Sequence, residues 1–277
     1  MIGVGLVGGS IALAAKARGL CRHIVGCART ERTLNLALER RAIDSATHDA
    51  REAAAGADLV VLATPIEAVV GIGKHIAPAV DGQALVTDVA SVKQAVVSEL
   101  EPALGERFVG GHPMAGGERL GVDHARADLL QDAAYFITPT AQSDPERVQR
   151  LEQFVRGLGA RPLFRSPEEH DRLVAAVSHL PHVAAAALVR ALSPAAQRPV
   201  EELLRCAGAG FRDTTRIAAS DPELWVSICL NNREALLAAL CAFGEELERF
   251  RRALEKADGQ ALRELFAEAR EIRDRVK

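Results

Sequence analysis

The two halves of this 277-residue chain carry different periodicities, and that difference constrains the fold more than any other feature. Before about residue 166, short β-rich apolar runs alternate with helical stretches, which is typical of a parallel sheet covered by helices on both faces. The predicted strands are 23–27, 58–63, 84–87, 107–110 and 134–138. After residue 166 the strand signals disappear. The sequence therefore predicts a doubly wound α/β domain over 1–166, followed by an all-helical domain over 167–277.

Three helix starts are strongly signalled, and the helical half contains one unusually long helical pattern. Asp144, Ser166 and Asp221 each precede a proline, and Glu169 completes a capping box with Ser166. From 222 to about 258 the apolar residues recur at helical spacing. A helix of about 35 residues is roughly 50 Å long and needs a partner surface. A second subunit is the economical source, so we predict a homodimer through this half.

Composition excludes several classes of protein. The net charge is −3, which gives no global positive field to gather nucleic acid or anionic lipid. Five cysteines without paired spacing indicate reduced thiols, and the histidines show no metal-ligand spacing. Because no apolar run reaches about 18 residues, no membrane span is predicted. We expect a cytoplasmic globular protein with no metal and no nucleic-acid or membrane partner.

A glycine-rich turn opens the chain. The segment Gly3-Val4-Gly5-Leu6-Val7-Gly8 fits G-x-G-x-x-G and leads into a helical stretch. In this pattern the first glycine permits a tight turn, the second admits a pyrophosphate and the third packs helix against strand. The pattern predicts a Rossmann-like dinucleotide site. Only two residues precede the first glycine, fewer than the five or so of a typical strand, so the central strand is short or its beginning is missing from the chain.

The end of the second strand indicates which dinucleotide is bound. An acidic residue would hold the ribose hydroxyls of NAD there, but Arg29, Thr30 and Arg32 occupy this turn. Guanidinium groups match phosphate oxygens, so NADP is favoured and NAD remains open. The alternative is a solvated basic turn. Thr64, at the end of the third strand, is a further candidate cofactor contact, although Pro65 after it could simply start a helix.

Four more segments carry chemistry-bearing residues in a distinctive order. They are Asp88-Val89-Ala90-Ser91-Val92-Lys93, Gly111-His112-Pro113-Met114-Ala115-Gly116, Ser178-His179-Leu180-Pro181-His182 and Gly210-Phe211-Arg212-Asp213-Thr214-Thr215-Arg216-Ile217, with Trp225 beyond. Together with the glycine turn, they resemble the prephenate and arogenate dehydrogenase family over essentially the whole chain. The resemblance implies a dinucleotide-binding domain followed by a helical dimerisation domain. It also implies oxidation of a ring alcohol by NAD(P)⁺ with loss of CO₂, in tyrosine biosynthesis.

The resemblance assigns catalytic roles to two residues. His112 matches the catalytic histidine, and a neutral imidazole suits removal of the proton from the hydroxyl whose carbon loses hydride. Ser91 matches a serine that hydrogen-bonds the same hydroxyl. From the residues alone, His112 could instead fix the turn before Pro113, and Ser91 could be a helix N-cap.

Four residues match substrate-binding positions. Arg216 matches the arginine that holds a substrate carboxylate, with Arg212 as a rival, and Ser178, His182 and Trp225 match other positions on the substrate side. His182 could read the side-chain end that distinguishes prephenate, which yields 4-hydroxyphenylpyruvate, from arogenate, which yields tyrosine. The alternatives are a core histidine and a core tryptophan. The sequence leaves the choice of substrate open, with His182 favouring prephenate.

Two further residues, each within one of the segments quoted above, receive no role in the predicted site. His179 is omitted because adjacent residues on a helix do not share a face. Lys93 could hold a phosphate or a carboxylate, but one turn into a helix it is expected to be a solvated charge.

Two other functions fit part of the pattern. A 3-hydroxyacid dehydrogenase would need a catalytic lysine in the helical half, where only Lys256 and Lys277 occur, both near the C-terminus. A catalytically silent NADP-binding sensor or dimeric scaffold would need the glycine turn but not His112, Ser91 and Arg216 together. Their joint presence favours catalysis.

Overall fold

The computed structural model describes residues 1–117 and 119–275, with the side chains of 193–195 left aside. The chain forms two compact units, Met1–Asn232 and Arg233–Lys277. The strands are β1 Val25–Cys27, β2 Ser45–Thr47, β3 Leu59–Leu62, β4 Leu85–Asp88, β5 Gly110–Pro113, β6 Ala134–Thr138 and β7 Arg161–Phe164. The helices of the first unit are α1 Leu6–Ala17, α2 Glu31–Glu39, α3 Ala50–Ala54, α4 Ile66–Ile76, α5 Gln94–Leu104, α6 Pro145–Gly157, α7 Pro167–Val174, α8 Leu180–Ala196, α9 Val200–Arg205, α10 Ala209–Thr215 and α11 Pro222–Asn231. The second unit contains α12 Arg233–Glu255 and α13 Gly259–Arg273.

A single residue joins the two parallel strand pairs at the centre of the sheet. Ile2 forms parallel bridges to Cys27 at the end of β1 and to Leu62 at the end of β3. Its N–H donates to the carbonyl of Val61 at 2.9 Å, and its own carbonyl accepts from Ala63 at 2.7 Å. The sheet order is therefore β2, β1, Ile2, β3, β4. This is the predicted doubly wound arrangement, with Ile2 in the central position.

The sheet continues beyond β4 with a change of direction. A parallel bridge from Val86 to Phe108 leads to β5, which pairs antiparallel with β6, and β6 pairs in parallel with β7. The strand predicted at 107–110 is therefore wrong in position, because its regular pairing covers Gly110–Pro113. Two glycines of low β-propensity concealed this strand. As a result, His112 lies within β5, opposite Phe136, rather than in a loop after a strand.

Both faces of the sheet are covered by apolar side chains. Alternate residues of β3 point to opposite faces, so Val60 belongs to one buried cluster and Val61 to the other. Leu85 and Val86 divide in the same way along β4. This explains why the strands read as continuous apolar runs in the sequence.

The predicted helix starts in the second half are confirmed. Asp144 and Asp221 accept the N–H groups of Glu146 and Glu223, and Ser166 forms a complete capping box with Glu169. Next, α7 passes through a π-helical turn, Ala175–His179, into α8. The continuous run Pro167–Leu192 has the length and apolar composition of a membrane span, a test that core helices of soluble proteins also pass.

The predicted helix of about 35 residues is wrong. Asn232 adopts φ −119° and ψ 35°, which ends α11, and α12 begins at Arg233. The side chain of Asn232 is buried and donates to the backbone carbonyl of Asp171 at 2.8 Å. We infer that this long-range bond outweighs the helical periodicity on either side of Asn232.

Candidate active site

The glycine turn has the geometry that its spacing predicts. Gly3 has φ +91°, and a Cβ there would lie 2.4 Å from the carbonyl oxygen of Ala63. A Cβ at Gly8 would lie 2.1 Å from the carbonyl oxygen of Gly3. Both distances are too short for any side chain, so these glycines let α1 pack closely against the end of β3.

The start of α1 offers unused hydrogen-bond donors next to open space. Gly5 is its N-cap and supplies no side-chain cap, so the amides of the first turn, including those of Leu6 and Val7, have no partner within the helix. Among the described residues, nothing lies within 4 Å of a Cβ placed at Gly5. Nearby, the Oγ1 atom of Thr64 is buried without a hydrogen-bond partner in the described part of the chain. These residues fit a dinucleotide pyrophosphate.

The basic turn after β1 is exposed. Arg29, Thr30 and Arg32 all reach solvent, which is compatible both with a 2′-phosphate and with a solvated turn. Thr30 has a second role, because its hydroxyl caps α2 by accepting the N–H of Thr33 at 3.3 Å.

A buried hydrogen-bond chain extends behind His112. The Nδ1 atom of His112 lies 2.8 Å from Nε2 of His170, and Nδ1 of His170 lies 2.7 Å from Oδ1 of Asp171. All three residues are buried. Phe136 contacts both imidazole rings, with its ring centroid 6.5 Å from that of His112 and 4.9 Å from that of His170.

Asp171 connects this chain to the start of α5. Its carboxylate accepts the backbone N–H groups of Lys93 at 2.7 Å and Gln94 at 2.9 Å. The side chain of Lys93 is fully buried, forms an ion pair with Asp88 and donates to the carbonyl of Gly111 at 2.8 Å. The prediction that Lys93 is a solvated charge is therefore wrong. Its position before α5 directs the side chain inward, where the Asp88 carboxylate receives it.

The electrostatic environment keeps the buried imidazoles neutral. Burial, reinforced by His170, Lys93 and His179, holds the pKa of His112 well below its ordinary 6.5. Burial also lowers the pKa of His170, although the hydrogen bond to Asp171 opposes this shift. A neutral His112 can accept a proton at physiological pH.

Ser91 lies in the segment that connects β4 to α5. It is half-buried between Asp88 and Lys93 in the chain, and both of these bond to Gly111, the neighbour of His112. Ser91 is not the N-cap of α5, since that helix begins at Gln94 with Lys93 as its cap.

The four predicted substrate-side residues lie together around α8. The ring of His182 stacks on Trp225, with centroids 3.7 Å apart and planes 23° apart. Nδ1 of His182 donates to the backbone carbonyl of Ser178 at 2.9 Å. Burial and then the positive charge of Arg216 lower the pKa of His182, although the Ser178 bond opposes them. The rival residue, Arg212, is exposed, as Arg216 is, and it donates to the carbonyl of Ala207.

His179 belongs to this cluster, contrary to its omission from the predicted site. It is buried, its ring lies edge-on to Trp225 at 6.0 Å, and Nδ1 lies 3.1 Å from Nδ2 of Asn232. The π-helical turn explains the difference, because it changes the angular spacing on which the helical-face argument relied. His179 also helps to lower the pKa of His112.

We expect His179 to make stability depend on pH. Burial lowers its pKa from 6.5 to about 4. The unfolded chain therefore takes up a proton near pH 6.5 that the folded protein refuses until about pH 4, so stability is full above pH 6.5 and falls as the pH decreases through this window. His179→Gln should reduce the slope of unfolding free energy against pH by up to about 1.4 kcal/mol per unit. Urea denaturation between pH 4.5 and 8 measures it.

The matched control for that experiment is His75→Gln, which removes an exposed histidine. Its pH slope should equal that of the unsubstituted protein. If His179→Gln also leaves the slope unchanged, His179 does not differ in protonation between the folded and unfolded states.

The residues that the sequence analysis missed are His170, Asp171 and Asn232. The available signal was the adjacent His-Asp pair one turn into α7, directly after the Ser166 capping box. Within the described residues no group of three or more His, Cys, Asp or Glu side chains is arranged to hold a metal ion.

Comparisons with known proteins agree with this organisation. The family described as "Prephenate dehydrogenase, nucleotide-binding domain" matches residues 11–163, and "Prephenate dehydrogenase, dimerization domain" matches 166–268. Prephenate dehydrogenase of Bacillus subtilis is 35% identical over 99% of this chain and 74% of its own length. Cyclohexadienyl dehydrogenase of Zymomonas mobilis is 34% identical over 100% of this chain and 95% of its own.

A solved structure extends the agreement to three dimensions. Prephenate dehydrogenase from Aquifex aeolicus, in complex with hydroxyphenyl propionate and NAD⁺, superimposes with a TM-score of 0.93 at 33% identity. The match covers 100% of this chain and 96% of that one. Because the two family domains account for most of the chain in the expected order, this protein belongs to the prephenate dehydrogenase family.

Proposed function

We propose that this protein oxidises prephenate or arogenate with a nicotinamide dinucleotide, releasing CO₂, in the biosynthesis of tyrosine, and that His112 is its general base. The observation that carries the assignment of His112 is its burial as a neutral imidazole beside a cluster containing Arg216, His182 and Trp225. The loop after β5 also approaches the glycine turn, since a Cβ at Gly117 would lie 3.3 Å from Cδ2 of Leu6. This approach supports a dinucleotide bound near the segment that carries His112.

The residues of the chain have separate tasks in this reaction. The bound dinucleotide supplies the hydride acceptor. His112 accepts the proton of the ring hydroxyl as hydride leaves the same carbon, and Ser91 holds that hydroxyl. The ring carboxylate leaves as CO₂, and its bonding electrons complete the aromatic ring. Arg216 binds a substrate carboxylate, and Ser178, His182 and Trp225 form the surrounding wall.

Turnover of the two substrates provides the direct test. Purified protein is mixed with prephenate or arogenate and with NAD⁺ or NADP⁺ in turn, and absorbance of the reduced nicotinamide is followed. We expect turnover in at least one pairing. A folded protein that binds a dinucleotide but turns over neither substrate would support the sensor or scaffold function instead.

The favoured cofactor is NADP, because the exposed turn after β1 contains Arg29, Thr30 and Arg32, and guanidinium groups match phosphate oxygens. Arg29→Asp should lower the ratio of kcat/KM for NADP⁺ to that for NAD⁺ about 10- to 100-fold, since a charge-assisted hydrogen bond contributes roughly 1.5–3 kcal/mol. Steady-state kinetics with both dinucleotides measures the ratio. Arg22→Asp makes the same charge change before β1 and should leave it unchanged. An unaltered ratio in Arg29→Asp would mean that this turn is solvated and does not bind the 2′-phosphate.

We further propose a homodimer formed through the helical domain, with domains at 1–166 and 167–277 and a cytoplasmic location. Apolar side chains on α11 are exposed, including Val226 and Leu230. In the second unit, Leu237, Leu247 and Leu254 on α12 are exposed as well. Sedimentation equilibrium should give twice the mass of one chain, and Leu230→Glu should shift the distribution toward the monomer. A monomeric native protein would contradict this assembly.

A further inference from the structure

The hydrogen-bond chain behind His112 has a direction. Asp171 terminates it, because a carboxylate only accepts hydrogen bonds, and its two oxygens already accept the backbone N–H groups of Lys93 and Gln94. Nδ1 of His170, 2.7 Å from Oδ1 of Asp171, must therefore carry a proton and donate it.

His170 transmits this direction to His112. A neutral imidazole has one N–H and one lone pair, so a His170 ring protonated at Nδ1 presents a lone pair at Nε2. Nδ1 of His112, 2.8 Å away, then has to donate, which leaves the lone pair of His112 on Nε2. A doubly protonated His170 would reverse the second bond. Such a charge would be wholly buried close to the Lys93 ammonium, and burial already lowers the pKa of His170.

The rings are held in place as well as paired. Phe136 lies opposite His112 in the β5–β6 register and stacks on its ring, while its edge-on contact with His170 has a centroid separation of 4.9 Å. His170 is 0% exposed and Asp171 3% exposed. Water therefore has little access to the bond between the two histidines, and the side chains have few alternative rotamers.

We propose that His170 is a positioning residue that holds His112 as its Nδ1–H tautomer, and that Asp171 holds His170 in the matching state. This inference rests on the proposed function, in which His112 is the base, because only a lone pair on Nε2 can accept the substrate proton. After proton transfer, the same bond stabilises the His112 imidazolium, with the charge of Asp171 behind it.

Two substitutions at His170 separate hydrogen bonding from packing. His170→Gln offers an amide oxygen near the position of Nε2, whereas His170→Phe fills the space with a ring that cannot accept a hydrogen bond. We expect His170→Phe to lower kcat at least about 100-fold with little change in KM, and His170→Gln to stay within about tenfold of the native kcat. A role in packing alone predicts the opposite order, because phenylalanine preserves the ring.

A second measurement does not depend on turnover. Nitrogen NMR of protein labelled with ¹⁵N-histidine distinguishes a protonated from an unprotonated ring nitrogen, and His112→Asn identifies the His112 signals by their loss. We expect the proton on Nδ1 of His112 in the native protein and in His170→Gln, and a population with the proton on Nε2 in His170→Phe.

The outcomes distinguish failure of the positioning role of His170 from failure of the proposed function. A native His112 protonated at Nε2, or a His170→Phe variant with native kcat, would overturn the positioning role. Absence of turnover with either substrate would refute the proposed function. The tautomer measurement would still decide whether His170 sets the protonated nitrogen of His112, because it does not depend on turnover. If His170→Phe fails to fold, as judged by its melting temperature, the native spectrum and His170→Gln still decide.

Discussion

Replacing His112 with asparagine should lower kcat by about 10²–10⁴-fold, the range that general-base catalysis commonly contributes. Asparagine can fill part of the same space but cannot accept a proton at neutral pH. The glycine turn is formed by other residues, so the dissociation constants of NAD⁺ and NADP⁺ should not change. Steady-state kinetics and fluorescence titration of the reduced dinucleotide measure the two quantities independently.

The matched control is His124→Asn, which alters an exposed histidine by the same chemical change. It should retain native kcat. A His112→Asn variant with native turnover would remove His112 from the catalytic role. Weakened dinucleotide binding in the variant would instead mean that β5, which carries His112, or the loop after it had moved.

Replacing Lys93 with methionine should destabilise the protein by about 3–5 kcal/mol, because it leaves the buried carboxylate of Asp88 without its ion-pair partner. Both side chains are 0% exposed, so water cannot compensate for the lost ammonium group. The methionine fills a similar volume, which keeps the effect electrostatic rather than steric. Chemical denaturation, followed by circular dichroism, gives the free energy of unfolding.

The double variant Asp88→Asn/Lys93→Met provides the control, because it removes both charges. It should recover a large part of the stability lost by Lys93→Met, since replacing a whole buried ion pair costs much less than breaking it. Equal losses in the single and double variants would mean that the packing of the lysine chain, and not the unpaired charge, dominates.

Local signals in the sequence predicted much of the fold. Buried strands can be recognised in the sequence as apolar runs. The helix caps at Asp144, Ser166 and Asp221 can be recognised because they depend only on residues close in the chain. The sequence gives little indication of β2 and β7, which are short and partly exposed, so their residues are not apolar throughout. The break at Asn232 was missed for another reason. It involves a bond to Asp171, 61 residues away.

The candidate site shows the same division. Its cofactor turn is a contiguous motif, and its spacing alone implies its geometry. By contrast, His170 acquires significance only through its contact with His112, 58 residues away, and Lys93 only through burial against Asp88. Such contacts produce neither a periodicity nor a short motif in the sequence. The resemblance to a family supplied His112 and Arg216, but contacts in three dimensions were needed to identify the groups behind His112.

The π-helical turn at Ala175–His179 determines how far α8 is rotated about the helix axis relative to α7. It therefore determines where His182 on α8 points relative to His170 and Asp171 on α7. Each residue of an α-helix advances the chain by about 100° around the axis. If one residue were lost here and the turn became regular, α8 would rotate by about that angle relative to α7, and His182 would turn away while His170 and Asp171 stayed. The site thus constrains how many residues this segment contains, as well as which residues they are. Related chains that keep the same site should vary here by substitution rather than by single-residue gaps.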